Sequence, residues 1–154
     1  MIEANPGCMK QMIEKWDGGN MVATMNVEDK DTSSYGIITP GKIIRDKIEV
    51  RDIVEKPNPK NAPSNIAVVG RYIIQPSVFE DLGLQKKGAN DEIQLTDSLS
   101  SQIGKAPFYA YNFIGTRYDC GTKIGFTKAN TNFALKDDRI GKEYYDWLSS
   151  LLKN

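Results

Sequence analysis

Residues 52–74 read DIVEKPNPKNAPSNIAVVGRYII. A β-branched run stops at Glu55-Lys56, prolines follow at 57, 59 and 63, and a second apolar run begins after Asn65. Proline lacks the backbone donor a ladder needs and pushes the residue before it out of helical geometry. The stretch therefore predicts two strands joined by a stiff link, with a carboxylate and an ammonium side by side where the first strand ends. Adjacent strand residues point to opposite faces. Both heads serve one ligand only if the strand bends or ends there, and the prolines make an ending the expected outcome.

Outward from this pair the signals alternate. Upstream, YGIIT (35–39) and IEVRDIVEK (48–56) are expected to be strands joined through the turn signal PGK at 40–42. Before them, NMVATMNV (20–27) alternates with Met21, Ala23, Met25 and Val27 on one side, and EDKDTSS is a polar connection. NPGCMKQMIEKWDGG (5–19) predicts a helix capped by Asn5, with Pro6 in its first turn and Gly18-Gly19 at its end. Its Met9, Met12, Ile13 and Trp16 fall on one face. Downstream, Pro76 opens a short helix with Val78, Phe79 and Leu82 inward, and DEIQLTDSLSSQI (91–103) is helical. PFYAYNFIG and TRYDCG are strands, and Thr122 caps a helix to about Lys136. Residues 138–152 form a C-terminal amphipathic helix with Ile140, Tyr144, Trp147, Leu148, Leu151 and Leu152 in one stripe. Strands alternating with helices indicate an α/β fold with a mixed sheet, and the whole of 1–154 reads as part of one domain.

Composition removes several classes of function. Twenty basic and 20 acidic residues balance, so no global field draws in nucleic acid or anionic lipid. The apolar runs are far shorter than a membrane span. Cys8 and Cys120 are the two cysteines, and no basic stretch followed by an apolar run opens the chain, so reduced thiols in a cytoplasm are expected. Histidine is absent, which disfavours a serine–histidine hydrolase and removes the commonest transition-metal ligand. Chemistry is left to carboxylates, lysines, arginines, hydroxyls and a hard cation.

Four stretches are candidates for that chemistry, each with a plainer reading beside it. Glu55-Lys56 is either a solvated surface pair or a ligand clamp at a strand end, where α/β sheets bind ligands. The glutamate suits sugar hydroxyls and the lysine suits a phosphate. Gly36 in YGI marks either a bulge or a close ligand approach. Asp91, Glu92 and Asp97 in DEIQLTD suit a helix N-terminus, and Thr96 with Asp97 suits an internal cap. Asp119 in RYDCG is either a turn-former or a ligand for magnesium, which one aspartate cannot hold alone.

In this order and spacing, SSYGII, DIVEKPNPKNAPSNIAVVGRYII, DEIQLTDSL and RYDCGTKIGFTKANTNFALK resemble the bacterial UTP–glucose-1-phosphate uridylyltransferase family, a group of sugar-phosphate nucleotidyltransferases. The likeness runs from about Pro6 to Lys136. It implies a mixed, mainly Rossmann-like sheet of the glycosyltransferase-A-like type. It also implies that Glu55 and Lys56 hold glucose 1-phosphate, with Lys56 in the catalytic role of neutralising the attacking phosphate. Gly36 would approach the sugar, Val69 and Gly70 would line the same pocket, and Asp119 would help bind Mg2+. The reaction so implied joins UTP and glucose 1-phosphate into UDP-glucose and releases pyrophosphate. Another sugar 1-phosphate, or a non-catalytic sugar-phosphate-binding subunit, remains an alternative.

Two departures accompany the likeness. Asn90-Asp91-Glu92 stands where the family has Gly-Gly-Glu. More consequentially, the family's glycine-rich loop with Gly-Thr-Arg and its magnesium aspartate have no counterpart here. The chain is therefore expected to correspond to the family's C-terminal half, with the sugar-phosphate half-site present and the nucleotide half-site absent. Uncovered sheet edges would then favour self-association or association with a separate N-terminal half.

Overall fold

The structure, a computed structural model, describes residues 1–84 and 94–153. The chain forms two compact units, Pro6–Ile114 and Met1–Asn5 with Gly115–Asn154. No described helix is long and apolar enough to cross a membrane.

In the unit Pro6–Ile114, helix α1 (Cys8–Lys15) leads into strand β2 (Asn20–Asn26). Strands β3 (Gly36–Ile44) and β4 (Lys47–Glu55) form a hairpin, and β5 (Ile66–Ile73) follows. Helices α2 (Ser77–Gly83) and α3 (Leu95–Ser101) precede β6 (Phe108–Asn112). Strand pairings run β5–β2–β6–β4–β3 and return to β5, closing a ring. That closure rests on a single bridge, Ile37 opposite Ala67. β2 and β6 are parallel, and the other pairings are antiparallel. The expected mixed sheet is present, with a smaller parallel share than a Rossmann-like arrangement has.

β2 is buried from Asn20 through Thr24 on both faces, where alternation predicted one apolar side. Two layers explain this. Val22 packs with Ile38, Val50, Ile53 and Phe108 against Val78 of α2 and Leu99 of α3. α1 packs against β2 and β5 and buries Cys8 and Met12. A strand covered on both faces reads as continuously apolar rather than alternating.

Several local expectations shift. α1 takes Gly7 rather than Asn5 at its N-cap, without a side-chain bond, and the chain is already extended at Trp16. Its stripe divides: Met12 is buried, while Met9, Ile13 (59% exposed) and Trp16 face outward. Phe79 is likewise 62% exposed, not inward. The hairpin turns at Arg45-Asp46, not at Pro40-Gly41-Lys42, because Arg45 adopts φ 59° and reverses the chain within two residues. The proline signal sits instead at a break in register between Thr39 and Ile43, where a missing N–H costs the ladder least. Gly19 permits another close approach: a Cβ there would lie 2.2 Å from the carbonyl oxygen of Pro107.

The remaining unit pairs β1 (Ile2–Glu3) with β7 (Thr116–Arg117) and carries helices α4 (Lys123–Leu135) and α5 (Gly141–Leu152). Thr122 caps α4 as expected, its hydroxyl accepting from the Gly125 N–H at 3.1 Å. Glu3 accepts hydrogen bonds from Lys136, Asn132 and Tyr118, which ties β1 to α4 and β7. α5 starts at Gly141 because a turn accepting at the Asp137 carbonyl precedes it. Its apolar stripe is largely exposed, with Trp147 at 53%.

Candidate sugar-phosphate site

β4 ends at Glu55, and the next residue, Lys56, takes φ 46°. A left-handed lysine costs roughly 1–2 kcal/mol. It persists here because its own N–H donates to the Tyr35 carbonyl at 3.0 Å and Pro57 behind it is buried. The stiff link is then pinned. Asn58 accepts from the Lys60 N–H at 3.0 Å, and the Ser64 hydroxyl donates to the Ile38 carbonyl at 2.7 Å. The strand thus stops between the two charged residues, which the alternation argument required for both to serve one ligand.

Glu55 lies opposite Gly36 across the hairpin. Ile53, two residues earlier, belongs to the core beneath α3, so the Glu55 side chain leaves on that same face. Its Oε2 would lie 3.0 Å from a Cβ placed on Gly36. The glycine has no positive φ to require it. The carboxylate leaves little room for a side chain there. Glu55 is half-buried and accepts a hydrogen bond from the Thr96 hydroxyl of α3 at 2.9 Å. Tyr72 on β5 senses the same carboxylate: burial pushes its phenol pKa up, and the Glu55 charge adds to the shift. The Lys56 ammonium is exposed and makes no ion pair among the described residues.

Val69 and Gly70 stand differently. Val22 pairs with Tyr72 and Thr24 with Val68, so the single residue Ala23 faces three on β5, residues 69–71. Gly70 takes φ 69° in this bulge, and nothing lies within 4 Å of where its Cβ would be. Its conformation requires glycine whether or not a ligand binds. Val69 is buried, and the β5 residue facing Gly36 is Val68, 3.9 Å from the Cβ position.

Asp119 belongs to the other unit. Its Oδ1 accepts from the Gly121 N–H at 3.1 Å and lies 3.8 Å from the Arg117 guanidinium. That is the geometry of a turn-forming aspartate, and a cation already sits beside it. No cluster of three potential metal ligands occurs among the described residues. The residues described therefore do not by themselves fit a magnesium ion; Asp119 offers one oxygen ligand at most. Asp91 and Glu92 lie outside the described residues, and Asp97 is in the first turn of α3.

A groove of about 490 Å³ lies elsewhere, between Glu49–Arg51 of β4 and the segment 103–109. Its carboxylate is already engaged, since Glu49 accepts from the Lys42 N–H at 3.1 Å and stands 3.6 Å from Arg51. Sequence reasoning missed Thr96, which it assigned to a local cap. The signal was the distance-independent motif DEIQLTD; the contact it makes joins residues 41 apart.

A family model described as "Nucleotidyl transferase" matches residues 4–136. The chain is 37% identical over 153 residues to a UTP–glucose-1-phosphate uridylyltransferase of Staphylococcus epidermidis, aligning 98% of this chain with 53% of that protein. It is 39% identical to the Staphylococcus haemolyticus counterpart over 153 residues, with 98% and 53% covered. Among solved structures, a UDP-glucose pyrophosphorylase complexed with UDP-glucose superposes with a TM-score of 0.80 at 39% identity, covering 89% of this chain and 53% of the other. A UDP-glucose pyrophosphorylase from Acinetobacter baumannii gives 0.83 at 27% identity, covering 98% and 53%. The chain spans about half the length of the curated relatives it matches.

Proposed function

Since the chain belongs to the nucleotidyl transferase family, we propose that it carries the sugar-phosphate-binding half of a UTP–glucose-1-phosphate uridylyltransferase site, corresponding to the C-terminal half of such enzymes. The observation that carries this reading is the end of β4: a half-buried carboxylate held over a bare glycine, followed at once by an exposed cation that makes no ion pair among the described residues. Glu55 accepts hydrogen bonds from glucose hydroxyls, Gly36 gives the ring room, and Lys56 offsets the phosphate charge. Gly70 provides the bulge that shapes the wall, where Val68 rather than the expected Val69 faces Gly36. The full-length relatives named for this reaction, and the pyrophosphorylase that holds UDP-glucose, support glucose and a uridine nucleotide as the substrates.

In the reaction a phosphate oxygen of glucose 1-phosphate attacks the α-phosphorus of UTP in line. The new oxygen–phosphorus bond forms as the bond to the β-phosphate oxygen breaks, and pyrophosphate leaves with that electron pair. No protein nucleophile takes part. Two polyanions must be held together, so alignment and charge compensation dominate the barrier. This chain would supply the acceptor side: Glu55 fixes the sugar's orientation and Lys56 lowers repulsion at the attacking phosphate. Magnesium, when present in such enzymes, offsets charge on phosphate oxygens.

Titration calorimetry with the 154-residue chain tests the proposal. Glucose 1-phosphate is expected to bind and UTP is not, and the chain alone is expected to turn over no UDP-glucose. Tight UTP binding with no affinity for glucose 1-phosphate would overturn the assignment of halves. Equal affinity for several hexose 1-phosphates would remove the preference for glucose.

A further inference from the structure

A glutamate at a strand end rotates freely about its last bonds unless neighbours hold it. Three elements hold Glu55. β4 sends the side chain out on the face where α3 packs, and β3 presents Gly36, whose missing Cβ leaves space for Oε2. α3 supplies the contact that fixes direction. The Thr96 hydroxyl donates to Glu55 Oε2 at 2.9 Å. One turn later on the same helix face, the Ser100 hydroxyl donates to the Ile53 carbonyl at 3.3 Å. Two hydroxyls thus fasten α3 along the last residues of β4.

The Thr96 hydroxyl is not spent on its own helix. Gln94 occupies the N-cap position of α3, and no side-chain capping bond forms there. Its bond instead runs to a charged acceptor, the stronger class of hydrogen bond.

We propose that Thr96 is a positioning residue: its hydroxyl immobilises Oε2 of Glu55 so that Oε1 is presented to a sugar hydroxyl. The inference rests on the reading of Glu55 as a sugar-binding residue. It assigns to the LTD segment of α3 a duty that helix capping would not give it. The hydroxyl matters and the bulk does not, so valine, which keeps the shape, fails, and serine, which keeps the hydroxyl, succeeds.

Calorimetry with glucose 1-phosphate on the 154-residue chain decides it. Thr96→Val is expected to weaken binding about tenfold, the effect of one hydrogen bond to a charged group. Thr96→Ser is expected to stay within about threefold of the parent. In a Glu55→Gln background, Thr96→Val should add little. Parental affinity in Thr96→Val, or equal loss in Thr96→Ser, would overturn the proposal. If the parent chain binds no glucose 1-phosphate, the substrate reading fails by itself. The positioning claim is then decided on the free protein by carbon-13 NMR of the Glu55 side chain. A single rotamer in the parent and in Thr96→Ser, with averaging in Thr96→Val, supports it. An unchanged pattern in Thr96→Val sinks it.

Discussion

Two residues beside the carboxylate carry opposite expectations for stability. Gly36→Ala would bring a methyl to 3.0 Å from Glu55 Oε2. The neighbour is the mobile end of a side chain, so the urea midpoint should barely move. The carboxylate must turn away, and glucose 1-phosphate affinity should fall about tenfold by calorimetry. Lys56→Gly works the other way. It relieves a left-handed residue at φ 46° and should stabilise the chain by about 0.5–1 kcal/mol after the added flexibility of glycine is subtracted. The same change removes the cation proposed to offset the phosphate charge, so the denaturation midpoint should rise while glucose 1-phosphate binding falls. Backbone strain at the proposed binding residue Lys56 is what a site kept for function would retain. At this scale the sequence was readable where a residue's role is local. The Thr122 cap and the strand end at Glu55 follow from neighbours in the chain. Arg45 was unreadable, because an arginine gives no sign of φ 59° and Pro40-Gly41 gives a stronger false one.

Element packing centres on an unusual lysine. Lys47 opens β4 with only 2% of its surface exposed. Its ammonium bonds Asp17 and lies 4.3 Å from the centroid of the Tyr109 ring on β6. It joins the segment after α1 to two strands. The Lys47 hydrogen bond holds the Asp17 carboxyl below its usual pKa. A carboxylate with a lowered folded pKa stabilises fully above its unfolded value, near 4, and loses that contribution as pH falls through the folded value. Urea midpoints followed from pH 7 down to pH 2 should therefore decline at the acid end, and Asp17→Asn should flatten part of that decline. An identical acid slope in Asp17→Asn would show the pair to be inconsequential. Helix faces were less legible than helix positions. The period of α1 and α5 is correct, but a period names a stripe without saying what lies opposite. Met12 found β2 and β5 while Ile13 and Trp16 found solvent.

For the molecule as a whole, α5 exposes Trp147, Leu151 and Leu152, and α1 exposes Met9 and Ile13, with Trp16 exposed just beyond its end. Apolar stripes of this kind mark contact surfaces. The chain is expected to self-associate at micromolar concentration, and Trp147→Glu should shift the mass measured by light scattering toward the monomer. A monomeric parent would remove that expectation. The mixed α/β character was legible from alternating runs, whereas the ring was not, since pairing of β6 with both β2 and β4 depends on contacts far apart in the chain. The ring also has a seam. Its closure through Ile37 and Ala67 is the weakest ladder in the sheet, next in sequence to Gly36. Local opening favours segments with few supporting bonds. An opening at this seam would leave the β2–β5 and β3–β4 ladders paired and would give a bulky ester a sideways path to the carboxylate. Deuterium uptake should register such an opening as faster exchange at the Ile38 and Val68 amides, which point across the seam, than at Val22 or Ala110, slowing once glucose 1-phosphate is bound.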